Sequence, residues 1–136
     1  MKIEELTAAA REAMQMAYAP YSGFFVGAAL LCADGTVVTG CNIENASFGA
    51  TNCAERTAFF NAVAQGHRDF TDIAICGGRG GVIRDFCPPC GICRQVMAEF
   101  CGENFKIHLL GPNGALQTHT LAQLLPGKFS GGAMGE

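Results

Sequence analysis

The sequence predicts an α/β domain in three layers, with a mixed β-sheet and helices packed on both of its faces. One observation is a pair of apolar stretches on either side of Asp34-Gly35, a dipeptide typical of tight hairpins, which predicts two adjacent antiparallel strands. The other is the succession of residues 72–77, 91–100 and 106–111, whose patterns indicate a strand, a helix and a second strand. Because such a unit joins parallel strands through a right-handed crossover, the sheet is expected to contain both kinds of neighbour.

The remaining predicted elements are three helices and a turn. Residues 3–17 carry apolar side chains at intervals of three and four, which predicts an amphipathic first helix. Residues 52–65 indicate a second helix that ends at Gly66, because glycine readily adopts the left-handed conformation common just after a helix. A turn is predicted at residues 112–114, and residues 121–125 predict a short last helix. The strand of residues 106–111 is thus the last strand that the sequence predicts.

Length and composition favour one domain that covers residues 1–136. Hydrophobic residues make up 49% of the chain, which is enough for a buried core. The net charge of −3 and the lack of a lysine or arginine cluster disfavour binding to nucleic acid. No apolar run approaches the roughly 18–20 residues of a membrane span, so no membrane partner is expected.

The compartment expected from the sequence is the cytoplasm. The first residues, MKIEELTAAAREAM, are acidic where an export signal would be basic and then apolar. Eight cysteines in a chain without such a signal indicate a reducing compartment. We therefore expect the thiols to serve as metal ligands or catalytic groups rather than to form disulfides.

Three cysteines in CPPCGICRQ form two overlapping C-x-x-C pairs. Cys90 and Cys93 lie in the first turn of the predicted helix, on the same face, so both thiols can reach one metal ion. Cys87 precedes two prolines, which favour an extended backbone, and it is expected to point elsewhere. The pattern leaves three interpretations open: a redox dithiol of Cys87 and Cys90, a structural zinc site closed by four ligands, or a catalytic metal centre.

A third ligand for the catalytic interpretation is Cys53, at the start of the helix predicted over residues 52–65. Helix N-termini carry partial positive charge and lower the pKa of nearby thiols, which suits a thiolate ligand. A zinc ion with three protein ligands keeps one position for water, and such a water can ionise near neutral pH. Two helix starts that face each other would present Cys53, Cys90 and Cys93 to one zinc ion.

Glu55 has two competing interpretations. Asn52-x-x-Glu55 is a capping-box pattern, in which the glutamate only stabilises the helix start. Glu55 also lies two residues from Cys53, where a carboxylate can exchange protons with a water on the metal without being a ligand. The P-C-x-x-C motif downstream favours the second interpretation, because it supplies the other two ligands.

The combination of C-A-E at residues 53–55 and P-C-x-x-C at residues 89–93 matches the zinc nucleoside-deaminase signature. More closely, the chain resembles the small homotetrameric cytidine deaminases almost from end to end. The matching stretches are YSGFFVGAAL at 21–30, GCNIENASFGATNCAERTA at 40–58, PCGICRQV at 89–96 and LLPGKF at 124–129. The resemblance implies a cytidine-deaminase-like fold. It also implies hydrolysis of cytidine, and of deoxycytidine, to uridine or deoxyuridine and ammonia in pyrimidine salvage.

The resemblance assigns the zinc centre residue by residue. It implies one Zn²⁺ per subunit, held by Cys53, Cys90 and Cys93, and a water that attacks C4 of the cytosine ring. Glu55 is implied to be the catalytic acid and base that moves protons from the water to N3 and the departing amine. Arg56 corresponds to an arginine that hydrogen-bonds to the thiolates and offsets their negative charge. The alternative for Arg56 is an ordinary solvated helix residue.

The resemblance further implies a nucleoside pocket shared between the subunits of a homotetramer. Asn42 and Glu44 are implied to bind the ribose hydroxyls, although their short polar run is equally typical of a turn. Phe24 is implied to line the base pocket. The residues implied to act across a subunit interface are Ala46, Phe48, which stands where relatives often carry tyrosine, and Phe129.

Some features have no role in this resemblance. GGRGG at residues 77–81 lacks the ending of a phosphate-binding loop and predicts a flexible loop near the zinc.

Deaminases that act on a nucleoside antibiotic, on guanine or on polynucleotides share the zinc motif, but NIENASFG and CAERTA most resemble the cytidine branch. The cysteines expected to fill the core are Cys32, Cys41, Cys76 and Cys101. The histidines expected to lie at the surface or to be satisfied by hydrogen bonds are His67, His108 and His119.

Overall fold

The computed structural model describes residues 1–134 and contains the predicted elements together with one additional strand. The elements are α1 (Ile3–Met14), β1 (Phe24–Cys32), β2 (Val37–Cys41), α2 (Ala54–Ala64), β3 (Phe70–Arg79), α3 (Gly91–Phe100), β4 (Lys106–Leu110), β5 (Leu116–Thr120) and α4 (Leu121–Leu124). Single 3-10 turns lie at Phe48–Ala50, Pro112–Gly114 and Gly131–Met134.

The five strands form one mixed sheet in the order β2-β1-β3-β4-β5. β1 pairs antiparallel with both β2 and β3, β3 and β4 are parallel, and β5 pairs antiparallel with β4. The antiparallel hairpin and the parallel strand–helix–strand unit are therefore both confirmed. The sequence did not predict β5, because its residues LQTHT are polar and largely exposed at the sheet edge and so lack an apolar alternation.

Helices cover both faces of the sheet, which confirms the three layers. α1 packs on one face, where Leu6 and Met14 are buried against Ala74 of β3. α2 and α3 pack on the other face, where Phe59 and Met97 are fully buried in the larger of the two cores. Burying each of these large side chains contributes roughly 1.5–3 kcal/mol to folding.

α1 ends three residues earlier than predicted, at Met14. The chain then turns, and the Tyr18 N–H donates to the carbonyl of Asn42, 3.0 Å away, in place of a helical bond. This link brings the segment after α1 alongside the segment after β2. Within residues 1–134, no helix combines the length and the apolar character that crossing a membrane requires.

The starts of α2 and α3 position the candidate site. α2 begins at Ala54 with Cys53 as its N-cap residue, and α3 begins at Gly91 with Cys90 as its N-cap residue. No side chain caps either helix start. Because the first N–H groups of a helix have no partner within the helix, each start places partial positive charge beside a cysteine.

Candidate active site and metal centre

Three thiols converge where α2 and α3 begin. The Sγ atoms of Cys53 and Cys90 are 3.8 Å apart, and those of Cys90 and Cys93 are 3.4 Å apart. All three sulfur atoms lie within 4.8 Å of one another. Four ligands at a Zn–S distance of about 2.3 Å in a tetrahedron would be separated by about 3.8 Å, so this donor set fits a zinc ion. The structure thus brings together the three cysteines that the sequence singled out.

The charge state of the thiols also suits a cation. A hydrogen bond from Cys93, together with the Arg56 guanidinium, lowers the pKa of Cys53 to about 5 against an opposing effect of burial. Conversely, the bond to Cys53 and burial raise the pKa of Cys93. The cluster thus holds the Cys53 thiolate beside the Cys93 thiol, which still carries its proton, and a divalent cation would displace that proton on binding.

Arg56 contacts the cluster directly. Its Nη2 donates to the Sγ of Cys53 across 3.2 Å, and this bond raises the pKa of Arg56. Its Nε is buried and has no hydrogen-bond partner within residues 1–134. A guanidinium held against a thiolate in this way is not an ordinary solvated helix residue, so that alternative is wrong.

Glu55 is buried beside the thiols, with only 4% of its surface exposed. Burial raises the pKa of its carboxyl group to about 7, and the negative charge of Cys53 adds to the increase. The capping-box alternative is wrong, because the Asn52 N–H donates to the Ile43 carbonyl and the N-cap residue is Cys53. The glutamate is therefore a buried acid next to the candidate metal site, not part of a helix cap.

Cys87 does not belong to the thiol cluster, as its position before two prolines predicted. It packs against the core of the α2 and α3 face, and burial raises its pKa to about 12. Cys90 instead pairs with Cys53 and Cys93, which disfavours the redox dithiol. The fourth ligand that a closed structural zinc site requires is also missing among the described residues.

Replacing Cys87 with serine is expected to leave the zinc content at about one ion per chain and turnover within about threefold, because its thiol is not in the ligand group. Metal analysis and ammonia release on one sample measure both quantities. Cys93→Ser is the matched comparison, since it removes a thiol of the cluster and should reduce bound zinc. Loss of zinc in the Cys87 variant would assign the metal to a different set of cysteines.

A pocket surrounds Glu44, whose carboxylate is held by hydrogen bonds. One carboxylate oxygen accepts from the N–H groups of Tyr21 at 2.9 Å and Ser22 at 3.0 Å, and the other accepts a short hydrogen bond from the Ser22 hydroxyl. The bonds from Ser22 lower the pKa of Glu44, so it is ionised at neutral pH. A cavity of about 370 Å³ lies here, lined by Tyr21, Ser22, Glu44, Asn45, Phe48 and Thr51.

The side-chain amide of Asn42 binds the backbone at the start of β1. Its Oδ1 accepts from the Val26 N–H at 2.9 Å, and its Nδ2 donates to the Phe24 carbonyl at 2.8 Å. The amide keeps one N–H and one lone pair for a ligand. Asn42 therefore holds the backbone of Phe24, whose ring is 37% exposed, and its contact with a ribose stays a prediction.

The residues predicted to act across a subunit interface are exposed in the single chain. Ala46 and Phe48 lie on the segment between β2 and α2. Phe48 is 79% exposed, and its ring centroid lies 6.5 Å from that of Tyr21 in an edge-on arrangement. Phe129 is 59% exposed, and its carbonyl accepts from Gln95 Nε2 at 2.9 Å. None of these contacts tests a role in a second subunit, so those roles stay predictions.

Ser22 is not among the site residues predicted from the sequence, yet the structure places it against Glu44. Its signal was available, because Ser22 lies in the YSGFFVGAAL stretch that carries the resemblance. A serine followed by glycine is typical of a turn, however, and nothing local indicates that it reaches residue 44. The contact depends on the link between Tyr18 and Asn42 that aligns the two segments.

The other cysteines and histidines largely follow expectation. Cys32, Cys76 and Cys101 are buried, whereas Cys41 is half-buried. His108 is 1% exposed and satisfied on both ring nitrogens, by Asp72 at 2.7 Å and Thr118 at 2.9 Å. His67 Nδ1 lies 3.7 Å from the Asp34 carboxylate, and His119 Nε2 lies 3.3 Å from the side-chain oxygen of Gln117.

Comparison with known proteins gives a consistent result. A cytidine deaminase of Sporosarcina psychrophila is 49% identical over 130 residues, which cover 96% of this chain and 93% of that relative. A cytidine deaminase of Halalkalibacterium halodurans is 51% identical over 119 residues, covering 88% and 87%. The crystal structure of cytidine deaminase from Burkholderia pseudomallei superposes with a TM-score of 0.88 at 45% identity, over 95% of this chain and all of that one.

The family model that matches is the cytidine and deoxycytidylate deaminase zinc-binding region, over residues 1–109. This span includes the whole thiol cluster, Glu55 and Arg56. The match makes zinc the metal that this donor set holds, in agreement with its three sulfur ligands and their spacing. The chain therefore belongs to the cytidine and deoxycytidylate deaminase family.

Proposed function

We propose that the protein hydrolyses cytidine, and deoxycytidine as well, to uridine or deoxyuridine and ammonia, as a cytoplasmic enzyme of pyrimidine salvage. The observation that carries the proposal is a buried carboxyl group, that of Glu55, beside three thiols that converge at two helix starts. The identity to curated cytidine deaminases over nearly the whole chain supports the same substrate.

The chemistry divides between the metal and the chain. Zinc held by Cys53, Cys90 and Cys93, one ion per subunit, would supply an acidified water whose oxygen adds to C4 of the cytosine ring. Glu55 takes one proton from that water and delivers it to N3. It then takes the second proton, from the hydroxyl group now on C4, and delivers it to the amine, whose bond to C4 breaks as C4=O forms and ammonia leaves. A carboxyl group whose pKa lies near 7 through burial can both accept and return a proton at neutral pH.

Arg56 offsets the charge of the ligand set. Three thiolates around a divalent ion leave a net negative charge, which weakens the attraction of the metal for electrons of the water. The guanidinium that donates to the Sγ of Cys53 at 3.2 Å withdraws part of that charge. Arg56 thereby keeps the site acidic enough for a water to ionise near neutral pH.

Arg56→Ala is expected to lower kcat/KM by about 10- to 100-fold while shifting Tm by only a few degrees. The side chain is partly exposed, so its loss costs little packing, whereas the thiolate it neutralises lies at the reacting centre. Steady-state kinetics and thermal unfolding on the same samples separate the two effects. Arg56→Lys should recover part of the rate, and an unchanged rate in the alanine variant would mean that the bond from Arg56 to Cys53 does not support catalysis.

The nucleoside is proposed to bind in the pocket around Glu44. Ionised Glu44 and the free amide N–H of Asn42 offer an acceptor and a donor for the ribose hydroxyls. Phe24 supplies an aromatic ring for the base. A ring of Phe129, with Ala46 and Phe48, is proposed to complete the site from neighbouring subunits of a homotetramer.

The exposed apolar side chains support such an assembly. Phe48, Ile92 and Phe129 are all more than half exposed in the single chain, although each lies near the candidate site in sequence or space. Exposed aromatic residues of this kind are typical of subunit interfaces. Sedimentation should give four chains per particle, and an active monomer would contradict the shared site.

A substrate panel tests the proposed reaction. Purified protein is incubated with cytidine, deoxycytidine, cytosine, guanine and a cytosine-containing single-stranded oligonucleotide, and ammonia release is measured. Conversion of the two nucleosides, with little reaction of the free bases or the oligonucleotide, is the expected result. Reaction of guanine or of the oligonucleotide alone would assign the chain to another branch of the zinc deaminases.

A further inference from the structure

The glycine-rich turn, residues 77–81, is tied into the fold rather than being a free loop. Its first three residues are the end of β3, and the Gly81 N–H donates to the Gly78 carbonyl at 3.1 Å. Gly80 and Gly81 both adopt positive φ, at 64° and 79°, so the backbone reverses tightly here. This reversal sends the side chain of Arg79 and the N–H of Gly80 toward a neighbouring segment of the chain.

That neighbouring segment is the 21–24 loop, which leads into β1. Arg79 Nη1 donates to the carbonyl of Ser22 at 2.7 Å, and the Gly80 N–H donates to the carbonyl of Gly23, also at 2.7 Å. Phe24 and Arg79 are paired in the register of β1 and β3, so the sheet sets the distance over which the two bonds form. Two successive carbonyls of the loop therefore accept hydrogen bonds from residues of the glycine-rich turn.

The same loop holds Glu44. The N–H groups of Tyr21 and Ser22 and the Ser22 hydroxyl all donate to its carboxylate, and the Ser22 hydroxyl also accepts from the Phe24 N–H at 3.0 Å. Ser22 thus uses its carbonyl for Arg79 and its N–H and hydroxyl for Glu44. A shift of this one residue would move the Glu44 carboxylate, whereas Asn42 and the pairing of β1 with β3 still hold the backbone of Phe24.

We propose that Arg79 is a positioning residue for nucleoside binding, which fixes the 21–24 loop and through it the Glu44 carboxylate. The inference rests on the proposed function, because Glu44 is the group proposed to bind the ribose. Arg79 makes no hydrogen bond or ion pair to the thiol cluster or to Glu55 within the described residues, so we expect it to act on substrate binding rather than on the chemical step. A hydrogen bond from a charged donor to a carbonyl is stronger than one from a neutral donor. The bond from Arg79 to the Ser22 carbonyl is therefore stronger than the bond from the Gly80 N–H to the Gly23 carbonyl.

The kinetic test compares Arg79→Ala with the matched control Arg84→Ala. Arg84 lies five residues along the chain, its Nη1 donates to the Arg79 carbonyl at 3.3 Å, and among the described residues it makes no hydrogen bond to the 21–24 loop. Arg79→Ala is expected to raise KM for cytidine about 3- to 10-fold with kcat within about twofold, whereas Arg84→Ala should behave as wild type. Arg79→Lys keeps a charged donor and should restore part of the affinity.

A second substrate separates positioning of Glu44 from a general loss of structure. 2′,3′-Dideoxycytidine lacks the 2′- and 3′-hydroxyls, the groups proposed to contact Glu44, so a displaced Glu44 costs it little, and its KM should change less than about twofold in Arg79→Ala. An equal rise in KM for cytidine and for dideoxycytidine would overturn the proposal. A lower kcat with an unchanged KM in Arg79→Ala would also overturn the proposal.

Amide hydrogen exchange tests, without any substrate, whether the bond from Arg79 to Ser22 holds the 21–24 loop. The amides of Tyr21, Ser22, Gly23 and Phe24 are all hydrogen-bonded, to Glu44, Ala19 and the Ser22 hydroxyl, so their exchange reports how firmly the loop is held. Arg79→Ala should speed their exchange about tenfold, with amides of the core strands unchanged. Unchanged exchange in Arg79→Ala would overturn the proposal, whether or not the wild-type protein deaminates cytidine. Failure of the wild-type protein to deaminate cytidine would by itself contradict only the proposed function.

Discussion

Replacing Glu55 with glutamine is expected to lower kcat by about 10²- to 10⁴-fold and to leave the zinc content unchanged. Glutamine has nearly the size of glutamate, so it fills the buried position without creating a cavity. It has no carboxyl group to accept a proton from water or to return one to the leaving amine. The thiols that are proposed to hold the metal stay in place, so binding of zinc does not depend on this side chain.

Steady-state kinetics and metal analysis of one preparation measure both parts of this prediction. Glu99→Gln is the matched control, because it makes the same change on an exposed position of α3 and should leave kcat unaltered. Wild-type turnover in Glu55→Gln would remove Glu55 from the mechanism. Loss of zinc together with turnover would instead mean that the glutamate helps to build the metal centre.

Gly40→Ala is expected to destabilise the protein by about 2–3 kcal/mol, because β2 and α2 touch backbone to backbone at this position. A Cβ on residue 40 would lie 2.4 Å from the backbone nitrogen of Ala58 and 2.5 Å from the carbonyl oxygen of Ala54. Neither atom can move unless α2 moves. Since the first turn of α2 carries Cys53 and Glu55, kcat should fall along with stability.

Thermal unfolding should show a Tm lower by about 10 °C for Gly40→Ala. Gly102→Ala is the matched control, since a Cβ there meets no atom within 4 Å, and its Tm should stay within about 2 °C of wild type. An unaltered Tm and an unaltered kcat in Gly40→Ala would mean that α2 does not pack this closely on β2. A lower Tm with full kcat would mean that α2 moves without disturbing its first turn.

The fold could be predicted where local chemistry determines it. The hairpin around Asp34-Gly35 and the helix over residues 91–100 occur as their patterns indicate, because turn residues and apolar spacing are local signals. β5 could not be predicted, since an exposed edge strand has no apolar face and forms only through its partner β4. The start of α2 was placed two residues early, at Asn52, whose N–H bonds to the Ile43 carbonyl outside the helix.

The candidate site could likewise be predicted only in part. The convergence of Cys53, Cys90 and Cys93 was predictable because each thiol lies at a helix start that the sequence itself marks. The contacts of Glu44 with Ser22, and of Ser22 with Arg79, join residues 22 and 57 positions apart in the chain. No local pattern encodes such pairs, so they became visible only once the sheet register was known.

Removal and restoration of zinc tests the central claim, that a zinc ion held by three thiols at two helix starts carries the deamination of cytidine. Protein stripped with a chelator at reduced pH is titrated with zinc, and bound metal and ammonia release from cytidine are measured on the same sample. Ammonia release should be absent from the stripped protein and should rise in proportion to bound zinc up to about one ion per chain. Release that persists without zinc, or zinc restored to one per chain without any release from cytidine, would contradict the account.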